Sequence, residues 1–176
     1  MAKSVSGVDE ILARWRKEVK EKQRRIISFE ETCAIKIGSL KSMIFRRSEP
    51  LEGWEVRHFT YSRHRERTYV DKEWKPIAVG RQWGGPGMSA EFRCKGAMPA
   101  QFKGRKVVLK VYFGGDSLLS INGEPYFGLD PFRDTVYLTE KATGSEEYNF
   151  YVESYICWHF GESEIKDFEC SHFAVM

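Results

Sequence analysis

The chain lacks any run of about 18 apolar residues, the length that a membrane-spanning helix requires. Its first residues, Met1 to Gly7, carry no apolar stretch of signal-peptide length. These absences point to a soluble, cytoplasmic protein with no membrane partner. Cysteine is scarce: Cys33, Cys94, Cys157 and Cys170 are too few and too scattered for a disulfide framework, which fits reduced thiols. An excess of one charge is missing too. The 28 basic residues against 25 acidic ones leave a net +3, too slight to argue for a nucleic-acid partner. With no internal repeat and no low-complexity linker, 176 residues read as one domain plus an appended helical segment.

Aromatics, by contrast, are plentiful: 12 Phe, 8 Tyr and 5 Trp favour a β-rich core. The first 48 residues are different. Val8, Ile11, Leu12, Trp15 and Val19 fall on one helical face, as do Phe29, Cys33, Ile37, Leu40 and Ile44. Ser6 with Asp9 resembles a capping box, and Ser28 with Glu31 repeats that signature. The pattern predicts helices over 8–26 and 29–44, or one long helix broken at Ser28. From Glu49-Pro50 onward, short apolar runs alternate with Gly, Pro and Asp, so residues 49–176 read as a separate β domain. Strands are expected at 54–61, 67–71, 89–95, 106–113, 117–122, 125–127, 135–138 and 148–158. Many short strands without alternating helices mean an antiparallel β-sandwich of jelly-roll, galactose-binding-like kind and not a parallel sheet.

Within that domain Asn122-Gly123 is the clearest local signal. Both residues tolerate positive φ, as the centre of a two-residue type I′ hairpin demands. The ordered run Trp74-Lys75-Pro76-Ile77-Ala78-Val79-Gly80, Trp83-Gly84-Gly85, Phe92-Arg93, Pro99, Gly104 to Leu109, Ile121-Asn122-Gly123-Glu124-Pro125, Gly128-Leu129-Asp130 and Glu147 to Glu153 carries more. Over roughly residues 74–160 it resembles the N-terminal β-sandwich domain of glycoside hydrolase family 38 α-mannosidases of the bacterial and archaeal type. The resemblance implies that the zinc ligands and nucleophilic Asp of such an enzyme lie in a later catalytic domain, absent here. In that family the later domain opens with a His-x-Asp pair. None of His58, His64, His159 and His172 is followed two positions on by Asp, so no catalytic residue carries over. On this reading the chain needs no cofactor of its own, its partner is its own catalytic domain, and zinc belongs to that domain. The ending His172-Phe173-Ala174-Val175-Met176, with no capping turn, reads as cut from a longer chain.

Other constellations stand beside this. Cys157 with His159 and Cys170 with His172 are spaced so that each pair points one way on a strand, as two zinc ligands would. Structural zinc sites, however, use Cys pairs on tight knuckles, and these segments are aromatic and strand-like, so packing is preferred and no metal site is assigned. Gly84-Gly85-x-Gly87 lacks the Lys-Ser/Thr ending of a phosphate loop. Arg57-His58 and Arg63-His64-Arg65-Glu66-Arg67, interleaved with Phe59, Tyr61 and Tyr69, form the densest basic patch; it reads as a solvated strand face or an interface to the missing domain. The pairs Glu146-Glu147, Glu162 with Glu164 and Asp167 with Glu169 sit in turn-like segments, with nothing to mark one as acid and one as nucleophile.

Two further expectations follow. Sugar rings stack on aromatic planes, and Arg81, Gln82 and Trp83 beside the glycine loop would offer a mixed surface, with Tyr126 a second platform. Trp83, Tyr126 and Arg81 are therefore the candidate carbohydrate-binding residues of a free-standing binding module, although large aromatics of sandwiches are mostly core. An assembly domain that joins a homo-oligomer through its helix faces is the weaker alternative.

Overall fold

The computed structural model describes residues 6–23, 28–63, 66–85, 87–156 and 165–176. The chain divides into two compact units, Met1–Ile44 and Phe45–Met176.

The first unit holds two helices, α1 (Ser6–Gln23) and α2 (Phe29–Ile44). The capping box at Ser28 forms: Glu31 donates its backbone N–H to Ser28 Oγ at 3.1 Å, and Ser28 N–H returns to Glu31 Oε2 at 2.8 Å. A box of that kind starts a helix, which decides for two helices against one broken one. The box expected at Ser6 and Asp9, and the end of the first helix at 24–26, lie outside the described residues and side chains. Ile11, Trp15, Phe29, Leu40 and Met43 are all exposed, and α2 buries no residue.

Among its described residues the second unit has thirteen strands: β1 (Arg47–Pro50), β2 (Glu55–Arg63), β3 (Glu66–Tyr69), β4 (Lys75–Pro76), β5 (Gln82–Trp83), β6 (Ser89–Ala97), β7 (Val107–Tyr112), β8 (Asp116–Ile121), β9 (Glu124–Leu129), β10 (Thr135–Thr139), β11 (Glu147–Tyr155), β12 (Lys166–Asp167) and β13 (Cys170–Val175). All pairings are antiparallel. One sheet runs β1-β13-β7-β10 and the larger runs β3-β2-β6-β11-β8-β9, with β4 on β2; β12 and β5 form a separate pair. All eight expected strands form, with ends shifted by a few residues. Five were not expected. Three of these are two-residue pairings too short for a period to show. β1 lies across the expected domain boundary, and β13, the segment read as a cut end, runs between β1 and β7. Positions 157 and 158 of the last expected strand lie outside the described residues.

The core follows from the alternation. Val107, Leu109 and Val111 of β7 and Phe173 and Val175 of β13 are buried, and so are Phe92 of β6, Leu119 of β8 and Val152 of β11. Trp54 meets Phe113 edge-on at 5.1 Å and Phe168 at 5.8 Å, lies parallel to Phe150, and donates its indole N–H to Ser171 Oγ at 2.8 Å. Each such aromatic pair contributes about 0.5–1.5 kcal/mol beyond the area it buries. The hairpin between β8 and β9 has the backbone expected of it, with Asn122 at φ 53° and Gly123 at φ 89°.

Candidate functional site

Because Phe92 and Cys94 of β6 point into the core, Glu91, Arg93 and Lys95 point outward across the larger sheet. Register sets Arg57 of β2 opposite Glu91, with Glu153 of β11 on its other side; Glu55 and Tyr151 flank Arg93 in the same way. Outward positions of a sandwich are ordinarily wet, yet here Glu91 is 2% exposed, Ser89 1% and Phe59 0%. What covers them is an aromatic and guanidinium layer. Arg67 stacks on the Phe59 ring at 4.9 Å, and Tyr61 and Tyr69 flank that ring at 5.2 and 5.9 Å. The Arg57 guanidinium lies 3.9 Å from the Tyr69 ring centre and 4.8 Å from that of Trp74. Trp74 also takes Arg93 at 4.3 Å.

Charges in this layer are matched. Arg57 donates to both oxygens of Glu91, at 3.2 and 3.4 Å, and Tyr151 adds its hydroxyl at 2.7 Å. Arg67 donates to Tyr151 Oη at 3.2 Å and pairs with Glu153, which also accepts from Tyr61. Burial and then donation to Glu91 push the Tyr151 phenol up, so it stays protonated as the donor its carboxylate needs. Every carboxylate oxygen of Glu91 and Glu153 thus has a donor, an arrangement suited to holding the face rigid. Two buried atoms have no partner among the described residues, Arg57 Nε and Ser89 Oγ. Arg57 and Arg67 of the basic patch read from the sequence therefore belong to an ion network; His64 and Arg65 lie outside the described residues.

Beside this network lies a groove of about 560 Å³, lined among others by Gly53, Glu55, Arg93, Lys95, Gly123, Asn149 and Tyr151. Its walls are the outward side chains of β6 and β11 and the Asn122-Gly123 turn. Arg93 Nε donates to Glu55 Oε2 at 2.6 Å. Asn149 is fixed by Asn122, whose side-chain oxygen accepts the Asn149 backbone N–H at 2.9 Å.

The residues selected from the sequence are placed elsewhere. Trp83 is 3% exposed, with its indole N–H donated to the Phe113 carbonyl at 2.6 Å and its ring edge-on to Phe92 at 5.1 Å. This corrects the expectation of a surface platform: the ring is spent on the core. Tyr126 is 49% exposed on β9 and its hydroxyl donates to the Tyr137 carbonyl at 2.8 Å, clasping the larger sheet to β10 of the smaller. Arg81 is exposed on the turn before β5 and has no side-chain partner among the described residues. Trp83 belongs to the two-stranded pair and Tyr126 to the outermost strand of the larger sheet, so no single strand face joins them. The outward face of β6 was missed; its signal is the alternation of Glu91, Arg93 and Lys95 with Phe92 and Cys94.

A second cluster joins His58, Asp71 and Lys75. His58 Nδ1 faces Asp71 Oδ2 at 2.5 Å, and Gly84 donates its backbone N–H to His58 Nε2 at 3.3 Å. Both ring nitrogens of His58 are thus engaged, one by Asp71 and one by the Gly84 amide. The dyad ties β2 to the glycine loop after β5. Burial pushes Asp71 up, but donation by Lys75 and then His58 outweighs it and holds the carboxyl at about 2. Cys170 and His172 lie two apart on β13; burial raises the thiol to about 11 and lowers the imidazole. Cys157 and His159 are outside the described residues, and among the described residues no three metal donors gather.

Two antiparallel sheets over one aromatic core, with a hydrogen-bonded polar layer on one outer face, define a β-sandwich of the jelly-roll class. Residues 49–173 match the family described as α-mannosidase, jelly roll domain, and the chain belongs to that family. No curated protein matches it.

Proposed function

We propose that this chain is the non-catalytic N-terminal module of an α-mannosidase-like enzyme and packs against a zinc-dependent catalytic domain that supplies the chemistry. The observation that carries the reading is the family match over 49–173, which spans nearly the whole sandwich from β1 to β13. A holding role fits the site: both oxygens of Glu91 and of Glu153 have donors, and both ring nitrogens of His58 are engaged. A cytoplasmic location fits the reduced cysteines expected from their number and spacing.

The test is complementation. The mannosidase polypeptide lacking residues 49–173 is expressed alone and with this chain, and both are assayed on an aryl α-mannoside with zinc. Association of the two pieces with recovery of activity is the expected result. Cleavage by this chain alone, or recovery of activity without it, would overturn the proposal.

A further inference from the structure

The groove on the outer face differs from the network beside it in one respect: its cations outnumber its carboxylates. Arg93 and Lys95 are two apart on one strand, so their side chains leave the sheet on the same side about 7 Å apart. Glu55 engages only Arg93 Nε, and the two terminal nitrogens of Arg93 have no partner among the described residues. Lys95 has no ion pair there at all. An ammonium and half a guanidinium fork line one cavity whose single carboxylate, Glu55, engages only one of them. Beside them stands a group suited to a hydroxyl. The Asn149 NH2 faces Asn122 Oδ1 at 3.5 Å, which turns its own carbonyl oxygen away from that partner. Tyr151 Oη donates to Glu91 and accepts from Arg67, so that ring forms a fixed wall of the groove. Gly123, at the positive-φ turn, narrows nothing: a Cβ there would meet no atom within 4 Å.

The geometry points to a binding site for an anionic sugar, with Lys95 and the free edge of Arg93 taking its phosphate or carboxylate and Asn149 a ring hydroxyl. The fork of Arg93 suits a two-oxygen anion, and Trp74, stacked on its face, holds it in plane. Glu55 opposes the ligand: it must share Arg93 with it. The inference rests on the groove's own side chains and not on the mannosidase reading, so either can fail alone.

Isotope-labelled full-length chain is titrated with mannose 6-phosphate, glucuronate, inorganic phosphate and mannose while amide shifts are followed. Saturable shifts at Arg93, Lys95 and Asn149 with either anionic sugar, weakening as salt is added, are expected. Which of the two binds tighter tells phosphate from carboxylate. Lys95→Gln should weaken binding about tenfold, the loss of one charge-assisted contact. Glu55→Gln should tighten it, a change of sign that a merely unfolded variant would not give. No saturation by either anionic sugar, equal binding of plain mannose or of inorganic phosphate, or undiminished binding by Lys95→Gln would each overturn the proposal.

Discussion

Arg57 donates to both oxygens of Glu91 on the outward face of the larger sheet, where Glu91 is nonetheless 2% exposed. A carboxylate so dry is tolerated only because its donors come with it. Removing Arg57 leaves that charge with Tyr151 and a longer pairing to Arg67 at 3.6 Å. Arg57→Ala should therefore destabilise the sandwich by about 2–4 kcal/mol, below the full cost of breaking a buried pair because Arg57 retains some solvent. Replacing both partners, Arg57→Met with Glu91→Leu, should cost less than Arg57→Ala alone. Urea melts of the three variants check this.

The acid limb of stability should come from a few identified carboxyls. Asp71 is held at about 2 against an ordinary 3.8, so its contribution is complete above about pH 4 and is lost as pH falls toward 2. That shift corresponds to about 2 kcal/mol. Glu146, also held at about 2, loses its share in the same range: burial raises it, and the loop amide N–H groups of Thr143, its own residue and Ser145, with the Thr143 hydroxyl, outweigh that. His172 acts earlier. Burial first and Lys110 second lower its pKa while Asp134 raises it, so the folded state resists protonation and stability starts to fall below about pH 6.5. Asp71→Asn should flatten the lower step and leave the upper one, as read from unfolding free energy against pH.

Gly96 sits at an inward position of β6, where a Cβ would come within 2.9 Å of Leu51, 3.0 Å of Phe150 and 3.1 Å of Phe173. Glycine there is a packing requirement and not a turn. Gly96→Ala should destabilise by about 1–3 kcal/mol through overpacking, whereas Gly53→Ala, with open space around it but a φ of 84°, should suffer from backbone strain alone. Leu51→Ala combined with Gly96→Ala should recover part of the first loss. Thermal denaturation of the single and double variants separates the two causes.

Local chemistry made much of this legible from the residues. Ser28 and Glu31 announce a helix start, Asn122-Gly123 a hairpin, and the alternation of Val107, Leu109 and Val111 a strand, whose other face, Val108 and Tyr112, is buried too; each depends on neighbours a few positions away. The outer-face network does not. Arg57 meets Glu91 34 residues on, and Arg67 meets Glu153 86 residues on, so the register of two sheet pairings had to be known first. Phe59 shows the same limit: it alternates with the inward Val56 set yet is buried on the other face, under Arg67 and two tyrosines. Trp83 read as a loop aromatic because the two-residue pairing that carries it leaves no periodic trace.

Trp83 offers the sharpest check of that last reassignment. Its ring fills the space beside Phe92 and its N–H satisfies the Phe113 carbonyl, so its energy is spent inside the fold. Trp83→Phe keeps most of the volume but strands that carbonyl, for an expected loss of about 1–3 kcal/mol. Trp83→Ala adds a cavity, for about 3–5 kcal/mol. Tyr126→Phe, which removes only a partly exposed hydrogen bond to Tyr137, should cost about 1 kcal/mol or less. If denaturant midpoints fall in that order, Trp83 is a core residue. If Trp83→Ala melts like the parent chain, the ring is not buried as described, and a surface role for it returns.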